Sequence, residues 1–227
     1  MSDKVLDTLK FKDSKIFLKK FHVQRSYEAC ALVDPQTQLV EIKQIYDQLE
    51  SQYSAELTQT NILRIEFNPL DLLNFEVSVI EKSKLPEILT LELMRTALQT
   101  PGLGSQNYKW SQREQWDHIL KSKNPKADDV ICVNLKNEVT ETVRCNLFFY
   151  DTNRDLVLTP PLHAGCINGV YRRYVIESGS IMLPELGSKK IRVENILSYE
   201  IIKYQIFAAN SVREVMKANL LHDKLEC

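Results

Sequence analysis

The segment from Asp128 to Glu177 constrains the fold of this chain most. It contains three short apolar runs, separated by polar turns and followed by a Pro-Pro pair. Short β-rich runs between polar turns are typical of strands in an antiparallel sheet. Gly169 then precedes an apolar pattern with helical spacing, which predicts a turn that opens a helix. Small residues beside a helix N-terminus allow its backbone N–H groups to bind a phosphate.

Length and charge limit the classes of protein to consider. The 227 residues allow one large domain or two small ones. A formal charge of −1 gives no reason to expect a nucleic acid or an anionic membrane as a partner. The apolar runs are too short to span a bilayer, and the first residues show no hydrophobic signal region. We therefore expect a cytoplasmic protein that does not bind membranes.

The cysteines and histidines give no sign of a disulfide framework or a metal site. The five cysteines are an odd number, are widely spaced and form no C-x-x-C pair. The four histidines are scattered along the chain. We expect most cysteines to act as small buried hydrophobic residues, and we expect no bound metal.

The first part of the chain predicts a small α+β domain over residues 1–98. Alternating residues indicate a hairpin of strands Val5–Phe11 and Lys15–Leu18. Helical spacing starts at Phe21. The remaining predicted elements are a helix at Leu39–Leu49 and strands at Asn61–Phe67, Phe75–Ile80 and Ile88–Arg95.

The second part predicts a larger, β-rich domain over residues 111–227, joined to the first by an irregular linker at residues 99–110. The linker combines a proline with two glycines and contains Lys109. Besides the three apolar runs, the predicted elements are helices around Arg113–Leu120, Val170–Glu177 and Val193–Tyr199, and strands at Lys190–Val193 and Lys203–Ala209.

Four motifs in the same order resemble the signature of class IV, or fold type IV, pyridoxal-phosphate enzymes. That family has a V-T-E turn, an N-L-F strand, a T-P-P-L segment and a G-[IV]-x-R helix start. The corresponding residues are Val139–Glu141, Asn146–Phe148, Thr159–Leu162 and Gly169–Arg172. The resemblance implies the two-domain α+β fold of the D-amino acid aminotransferase type, with pyridoxal 5′-phosphate as cofactor.

The same resemblance assigns roles to two basic residues. Arg25 lies in an H-[LIV]-x-R pattern after the hairpin, where the family arginine binds the cofactor phosphate. Lys109 begins a K-x-x-x-R pattern upstream of the V-T-E glutamate, where the family lysine forms a Schiff base with the cofactor. Taken alone, Arg25 would be interpreted as a surface arginine and Lys109 as a surface lysine between aromatic residues.

The resemblance also implies how the rest of the cofactor is held. Glu141 would pair with the ring nitrogen and keep it protonated. The backbone N–H groups of Val170 and Tyr171 after Gly169, with the Ser211 hydroxyl, would hold the phosphate together with Arg25. Many members have threonine where Tyr171 stands, so one side-chain contact would be lost or replaced. Asn210 and Arg213 are candidate substrate contacts.

Within the family, Asn210-Ser211-Val212-Arg213 resembles the N-S-V-R-G segment of aminodeoxychorismate lyases, with Glu214 in place of glycine. Such a lyase converts 4-amino-4-deoxychorismate into 4-aminobenzoate and pyruvate for folate biosynthesis, with the lysine acting as general base. The alternatives are an aminotransferase for branched-chain or D-amino acids and a non-catalytic short homologue. Glu114 replaces the tyrosine of branched-chain aminotransferases, which disfavours a transaminase.

The position of the hairpin departs from the usual pattern. It lies closer to the start of the sequence than in typical members, so substrate contacts from the preceding segment are expected to be missing or replaced. Members of the family usually form homodimers with the site near the subunit boundary. The resemblance therefore predicts a homodimer that binds a small amino substrate.

Overall fold

The computed structural model describes residues 4–55, 61–96 and 104–221. The elements of its first part are β1 (Val5–Leu9), β2 (Phe11–Lys12), β3 (Lys15–Ile16), α1 (Lys19–Val33), α2 (Leu39–Tyr53), β4 (Asn61–Asn68), β5 (Asp71–Glu81) and β6 (Ile88–Arg95). The elements of its second part are α3 (Glu114–Ser122), β7 (Asp129–Val133), β8 (Val139–Thr142), β9 (Asn146–Asp151), β10 (Leu156–Thr159), α4 (Val170–Ser178), β11 (Ser180–Leu183), β12 (Gly187–Val193), β13 (Gln205–Asn210) and β14 (Glu214–Leu220). This arrangement confirms the predicted α+β class.

The strands form a small sheet, a large sheet and the two-stranded hairpin β2–β3. The small sheet has the order β1-β4-β5 and is antiparallel. The large sheet has nine strands in the order β11-β12-β10-β9-β13-β14-β6-β7-β8. It curls, so that its last strand, β8, comes back beside β9 in the interior of the sheet, where the Thr142 N–H donates to the Cys145 carbonyl at 2.8 Å.

Each sheet has its own core. Helices α1 and α2 pack on the small sheet through fully buried side chains such as Tyr46, Leu63 and Phe67. In the large sheet, Leu147 and Phe149 of β9 join one apolar cluster, whereas Phe148 and Tyr150 join another. This alternation follows from the two-residue period of a strand, so β9 has apolar neighbours on both faces.

Several element predictions need correction. The predicted strand Val5–Phe11 divides in two: β1 pairs with β4, and only Phe11–Lys12 forms the hairpin with Lys15–Ile16. The V-T-E segment, interpreted as a turn, is the strand β8. The predicted helix Val193–Tyr199 is wrong, since β12 continues to Val193 and a 3-10 helix spans Ser198–Lys203. Strands β11 and β14 were not predicted.

The division into domains stays a prediction. Strand β6, which we placed in the first domain, pairs with β14 and β7 in the large sheet. Residues 97–103, which include the predicted boundary and the first part of the linker, lie outside the described residues. None of the helices in the described ranges has both the length and the hydrophobicity needed to cross a membrane.

Candidate active site

A cavity of about 510 Å³ lies between the small sheet and the curled large sheet. Eight of the residues predicted for the site line it: Arg25, Lys109, Glu141, Gly169, Val170, Asn210, Ser211 and Arg213. Tyr171 does not line it, and its buried side chain packs against Tyr174 instead. Residues distant in sequence thus meet around one space large enough for a small molecule.

Lys109 is held by a short strand-like pairing with β1. The Leu6 N–H donates to the Lys109 carbonyl at 2.9 Å, and the Ser111 N–H donates to the Lys4 carbonyl at 2.8 Å. The Lys109 Nζ lies 3.0 Å from the Thr8 Oγ1. Burial lowers the pKa of Lys109 to about 7, and the charges of Arg25 and Arg113 act in the same direction. A substantial fraction of this amine is therefore neutral and nucleophilic near pH 7.

Arg25 is positioned by a buried carboxylate on the neighbouring strand. Its guanidinium donates to Asp7, which also accepts hydrogen bonds from His22 Nδ1, at 2.8 Å, and from the Tyr46 hydroxyl. Burial alone would raise the pKa of Asp7, but the charges of Arg25 and His22 and these hydrogen bonds hold it well below its usual range. Asp7 therefore remains ionised and fixes one side of the Arg25 fork.

Glu141 lies on β8 and is almost completely buried. Its Oε1 accepts the Ile167 N–H at 3.1 Å, and its Oε2 accepts from Asn146 Nδ2 at 3.3 Å. Burial raises the pKa of Glu141 to about 8, although the Ile167 hydrogen bond and the charge of Arg113 oppose this. Because burial favours the neutral form, a cation beside this carboxyl would restore its negative charge.

This pKa shift predicts a pH-dependent gain in stability for Glu141→Gln in the cofactor-free protein. Between the ordinary pKa of 4.5 and the native value of about 8, the unfolded chain loses this proton while the native state retains it. Wild-type stability therefore falls over this window, whereas glutamine carries no such cost. The variant should gain on the order of a few kcal/mol by pH 9 relative to pH 4.

Thermal unfolding of both proteins from pH 4 to pH 9 measures this difference. Glu194→Gln removes an exposed carboxylate that pairs with Arg154, outside the cavity, and serves as the control. A melting-temperature difference between wild type and Glu141→Gln that stays constant across the window would show that Glu141 titrates normally.

Gly169 precedes the first turn of α4, and its neighbourhood excludes a side chain. A Cβ built on Gly169 would lie 2.1 Å from Asn146 Oδ1. The Asn146 amide is fixed there, because its Nδ2 donates to the Ile167 carbonyl at 2.8 Å. No side chain caps α4 within the described ranges, so the first-turn N–H groups of Val170 and Tyr171 remain available to an anion.

The segment after β13 forms another part of the cavity wall. Asn210 Oδ1 accepts the N–H groups of Val212 and Arg213, at 3.0 and 2.9 Å, and this closes a tight turn. The turn places Ser211 and Arg213 beside the cavity. Arg213 is anchored on the other side, since its guanidinium donates to the Ser83 carbonyl at 2.6 Å.

The arginine of the G-V-Y-R motif is not a cavity residue. Arg172 is buried, and its guanidinium donates to the Pro160 carbonyl at 2.8 Å and to Asn168 Oδ1 at 3.2 Å. It thereby ties the T-P-P-L segment to the start of α4. Asn107 connects the same loop to the Lys109 segment, through hydrogen bonds to the Leu162 and Cys166 carbonyls at 2.9 and 2.8 Å.

Sequence reasoning missed several polar residues of the site. Asp7 and Thr8 appeared only as positions of a predicted strand, Arg64 was not singled out, and Asn146 appeared only as the first residue of the N-L-F motif. Arg113 was noted only as the end of the K-x-x-x-R pattern. Strand β4 alternates apolar residues with Arg64 and Glu66, so the charge of Arg64 did not distinguish it from an ordinary surface residue.

The fold and the site together define a fold type IV enzyme. The sequence model described as amino-transferase class IV matches residues 4–220. The chain therefore belongs to the class IV aminotransferase family, as the order of its motifs predicted. No curated protein sequence matches it significantly.

Solved structures of the same fold include both aminotransferases and a lyase. A hypothetical aminotransferase from Mycobacterium tuberculosis, in a form with α-ketoglutarate and PMP bound, is 18% identical with a TM-score of 0.76, covering 96% of this chain and 81% of that one. The fold IV-transaminase from Curtobacterium pusillum is 16% identical with a TM-score of 0.76, covering 98% and 80%. The 4-amino-4-deoxychorismate lyase from Pseudomonas aeruginosa is 14% identical with a TM-score of 0.72, covering 96% and 83%.

The cavity residues fit a phosphorylated aldehyde with a ring nitrogen. Lys109 supplies an amine of lowered pKa, and Glu141 a buried carboxyl that a cation would ionise. Arg25 and the uncapped start of α4 supply donors for a phosphate. The close contact between Gly169 and Asn146 leaves space at that helix start only for a residue without a side chain. These four features match the donor set that pyridoxal 5′-phosphate requires.

Proposed function

We propose that this protein is a pyridoxal-phosphate-dependent 4-amino-4-deoxychorismate lyase, which forms 4-aminobenzoate and pyruvate. The observation that carries the proposal is the turn Asn210–Arg213. Its sequence resembles the corresponding lyase segment, and it borders the same cavity as Lys109. A segment that resembles that of the lyases therefore borders the cavity in which we propose that the substrate binds.

The cofactor, pyridoxal 5′-phosphate, supplies an electron sink for the bond that breaks. The phosphate would be held by Arg25, by the N–H groups of Val170 and Tyr171 and by the Ser211 hydroxyl. Glu141 would keep a proton on the ring nitrogen, because its buried carboxylate is stable only beside a cation.

Lys109 performs the proton transfer. The neutral Nζ removes the proton from carbon 4 of the substrate, which also carries the amino group. The ether C–O bond then breaks, the ring becomes aromatic as 4-aminobenzoate, and the departing enol takes up a proton as pyruvate. The pKa of about 7 suits a general base near neutral pH.

Pyruvate release without any acceptor tests the reaction type. Purified protein loaded with the cofactor is supplied with 4-amino-4-deoxychorismate, and pyruvate is followed by a coupled lactate dehydrogenase assay. Stoichiometric pyruvate and 4-aminobenzoate are expected in the absence of a keto acid. An enzyme that turns over only when both an amino acid and a keto acid are present would contradict the lyase proposal.

An aminotransferase for branched-chain or D-amino acids is the second candidate. It is favoured by the α-ketoglutarate and PMP found with the Mycobacterium tuberculosis protein of the same fold. Glu114, five positions after Lys109, replaces the tyrosine of branched-chain aminotransferases and disfavours it. Transfer of the amino group to α-ketoglutarate, measured as glutamate, would identify this activity.

The assembly and the location of the enzyme are further parts of the proposal. The family resemblance supports a homodimer that acts in the cytoplasm on a small amino substrate. Sedimentation velocity at micromolar concentration is expected to give a mass of twice 26.3 kDa. A mass of 26.3 kDa would contradict the proposed homodimer.

A further inference from the structure

Glu214 has a backbone conformation that favours glycine. It closes the hairpin between β13 and β14, where it pairs with Asn210 in the strand register. Its φ is +60°, in the left-handed region, which a residue without a side chain adopts at the lowest cost. The corresponding segment of the lyases has glycine at this position. A side chain at a position that is strained for it is expected to make a contact that offsets the cost.

The Glu214 carboxylate forms such a contact with Lys10. The Lys10 Nζ donates a hydrogen bond to the Glu214 Oε1, in an ion pair whose two side chains are both partly exposed. The same Nζ lies 4.9 Å from the centre of the Phe17 ring. Lys10 follows β1 of the small sheet, whereas Glu214 begins β14 of the large sheet. The ion pair therefore joins the two walls of the cavity.

Other cations surround this ion pair. Burial lowers the pKa of Lys82, and the charges of Lys10 and Arg213 act in the same direction. The charge of Glu214 opposes this shift. The carboxylate of Glu214 therefore offsets the mutual repulsion of three neighbouring cations. Arg213 adds a second link between the walls, because its guanidinium donates to the hydroxyl of Ser83, which follows β5 of the small sheet, at 2.7 Å.

The segments joined by this ion pair also carry groups that we assign to the cofactor phosphate. Asp7, which holds the Arg25 guanidinium, lies three positions before Lys10. Ser211, which lines the cavity, lies three positions before Glu214. The phosphate donors therefore come from both walls of the cavity, and they reach one phosphate group only when the walls keep a fixed separation. A link between the walls beside these donors fixes that separation.

We propose that Glu214 is a positioning residue, which through Lys10 holds the two walls of the cavity at the separation that binding of the cofactor phosphate requires. This inference rests on the proposed function, since it uses the phosphate donors assigned there. It adds that the affinity for pyridoxal 5′-phosphate depends on an ion pair outside those donors. By reciprocity, the bound cofactor strengthens the ion pair.

Absorbance titration of the cofactor-free protein with pyridoxal 5′-phosphate, and with pyridoxal, which lacks the phosphate, tests the proposal. Glu214→Gln should bind pyridoxal 5′-phosphate about 2- to 5-fold more weakly, the range of a partly exposed ion pair, and should bind pyridoxal as the wild type does. Lys10→Gln should have the same effect. The exchanged pair, Lys10→Glu with Glu214→Lys, should recover most of the lost affinity, because it restores the attraction with the charges reversed.

Two glycine variants separate the ion pair from the backbone strain. Glu214→Gly removes the carboxylate but suits the left-handed backbone. It should therefore bind the cofactor as weakly as Glu214→Gln does, while it unfolds at a temperature close to that of the wild type. Glu185, in the turn between β11 and β12, also has a positive φ, +64°, and pairs with Lys217 outside the cavity. Glu185→Gly should leave the cofactor affinity unchanged.

The possible results separate this inference from the lyase proposal. If Glu214→Gln and Lys10→Gln bind the cofactor as tightly as the wild type, the inference is wrong even if the enzyme releases pyruvate. If the exchanged pair recovers the affinity but the wild type releases no pyruvate, the positioning role stands and the lyase proposal fails. Equal weakening for both ligands without recovery in the exchanged pair would show a purely structural role and overturn the inference. A wild type that takes up no cofactor would overturn both.

Discussion

Replacing Lys109 with alanine is expected to abolish covalent attachment of the cofactor and to reduce turnover by about 10⁴-fold, the upper range of general acid–base catalysis. The Nζ of Lys109 is the cavity amine whose pKa is lowered to about 7. Its one side-chain hydrogen bond in the described structure goes to the Thr8 hydroxyl. The substitution therefore removes the amine that we propose reacts with the cofactor, and it leaves the backbone pairing between residue 109 and Leu6 intact.

The stability of this variant provides a second readout. The native structure favours the neutral amine, whereas the unfolded chain binds the proton up to its ordinary pKa of 10.5. This difference in pKa lowers the free energy of unfolding of the wild type below pH 10.5, and the loss is complete below pH 7. Alanine carries no such cost. At pH 7, cofactor-free Lys109→Ala should therefore unfold at a temperature no lower than that of the wild type. Lys203→Ala, an exposed lysine paired with Glu200, is the matched control. Turnover of Lys109→Ala within tenfold of the wild type would exclude the assigned role.

The second large effect is expected for Glu141→Gln. This variant should still bind the cofactor, but its turnover should be about 10²- to 10³-fold lower. Removal of one fixed electrostatic contact to a reacting group typically has an effect of this size. Glutamine can accept the Ile167 N–H as Glu141 does, so the cavity should keep its shape. It cannot carry the negative charge that, in the proposed mechanism, would keep a proton on the ring nitrogen. The electron sink is weaker when that nitrogen is neutral, so the bond-breaking step slows.

Gel filtration followed by visible absorbance measures whether the cofactor remains bound, and steady-state kinetics measures turnover. Glu141→Asp keeps the charge with a shorter side chain and should retain more activity than Glu141→Gln. Glu194→Gln, at an exposed ion pair, should behave like the wild type. Equal turnover for Glu141→Gln and the wild type would show that this carboxyl does not act on the ring nitrogen.

The elements predicted correctly are those that local pattern determines. Strands β7, β9 and β10 follow from their apolar runs, and α4 follows from the glycine turn before Val170. Pairing between distant segments does not follow from local pattern. Strand β1 pairs with β4 rather than with its neighbour in sequence, and β6 joins the large sheet. Such choices depend on burial against the rest of the chain, which periodicity does not report.

The candidate site depended on motif order more than on physical pattern. Taken singly, Lys109 resembled a surface lysine, and only its place before the V-T-E motif singled it out. The structure brings it to one cavity with Arg25 and Glu141, and their roles there stay predictions. The supporting carboxylate Asp7 could not be recognised, because its pairing with Arg25 joins a strand to a helix and requires the fold itself.

Borohydride reduction of the cofactor-loaded protein, followed by peptide mapping, tests the central claim most directly. Purified protein is mixed with pyridoxal 5′-phosphate, its visible absorbance is recorded, and the reduced product is digested and sequenced by mass spectrometry. The account predicts a yellow protein and a single major modification on Lys109. A protein that takes up no cofactor, or one that is labelled mainly on another lysine, would contradict it and favour a homologue that keeps the fold without this chemistry.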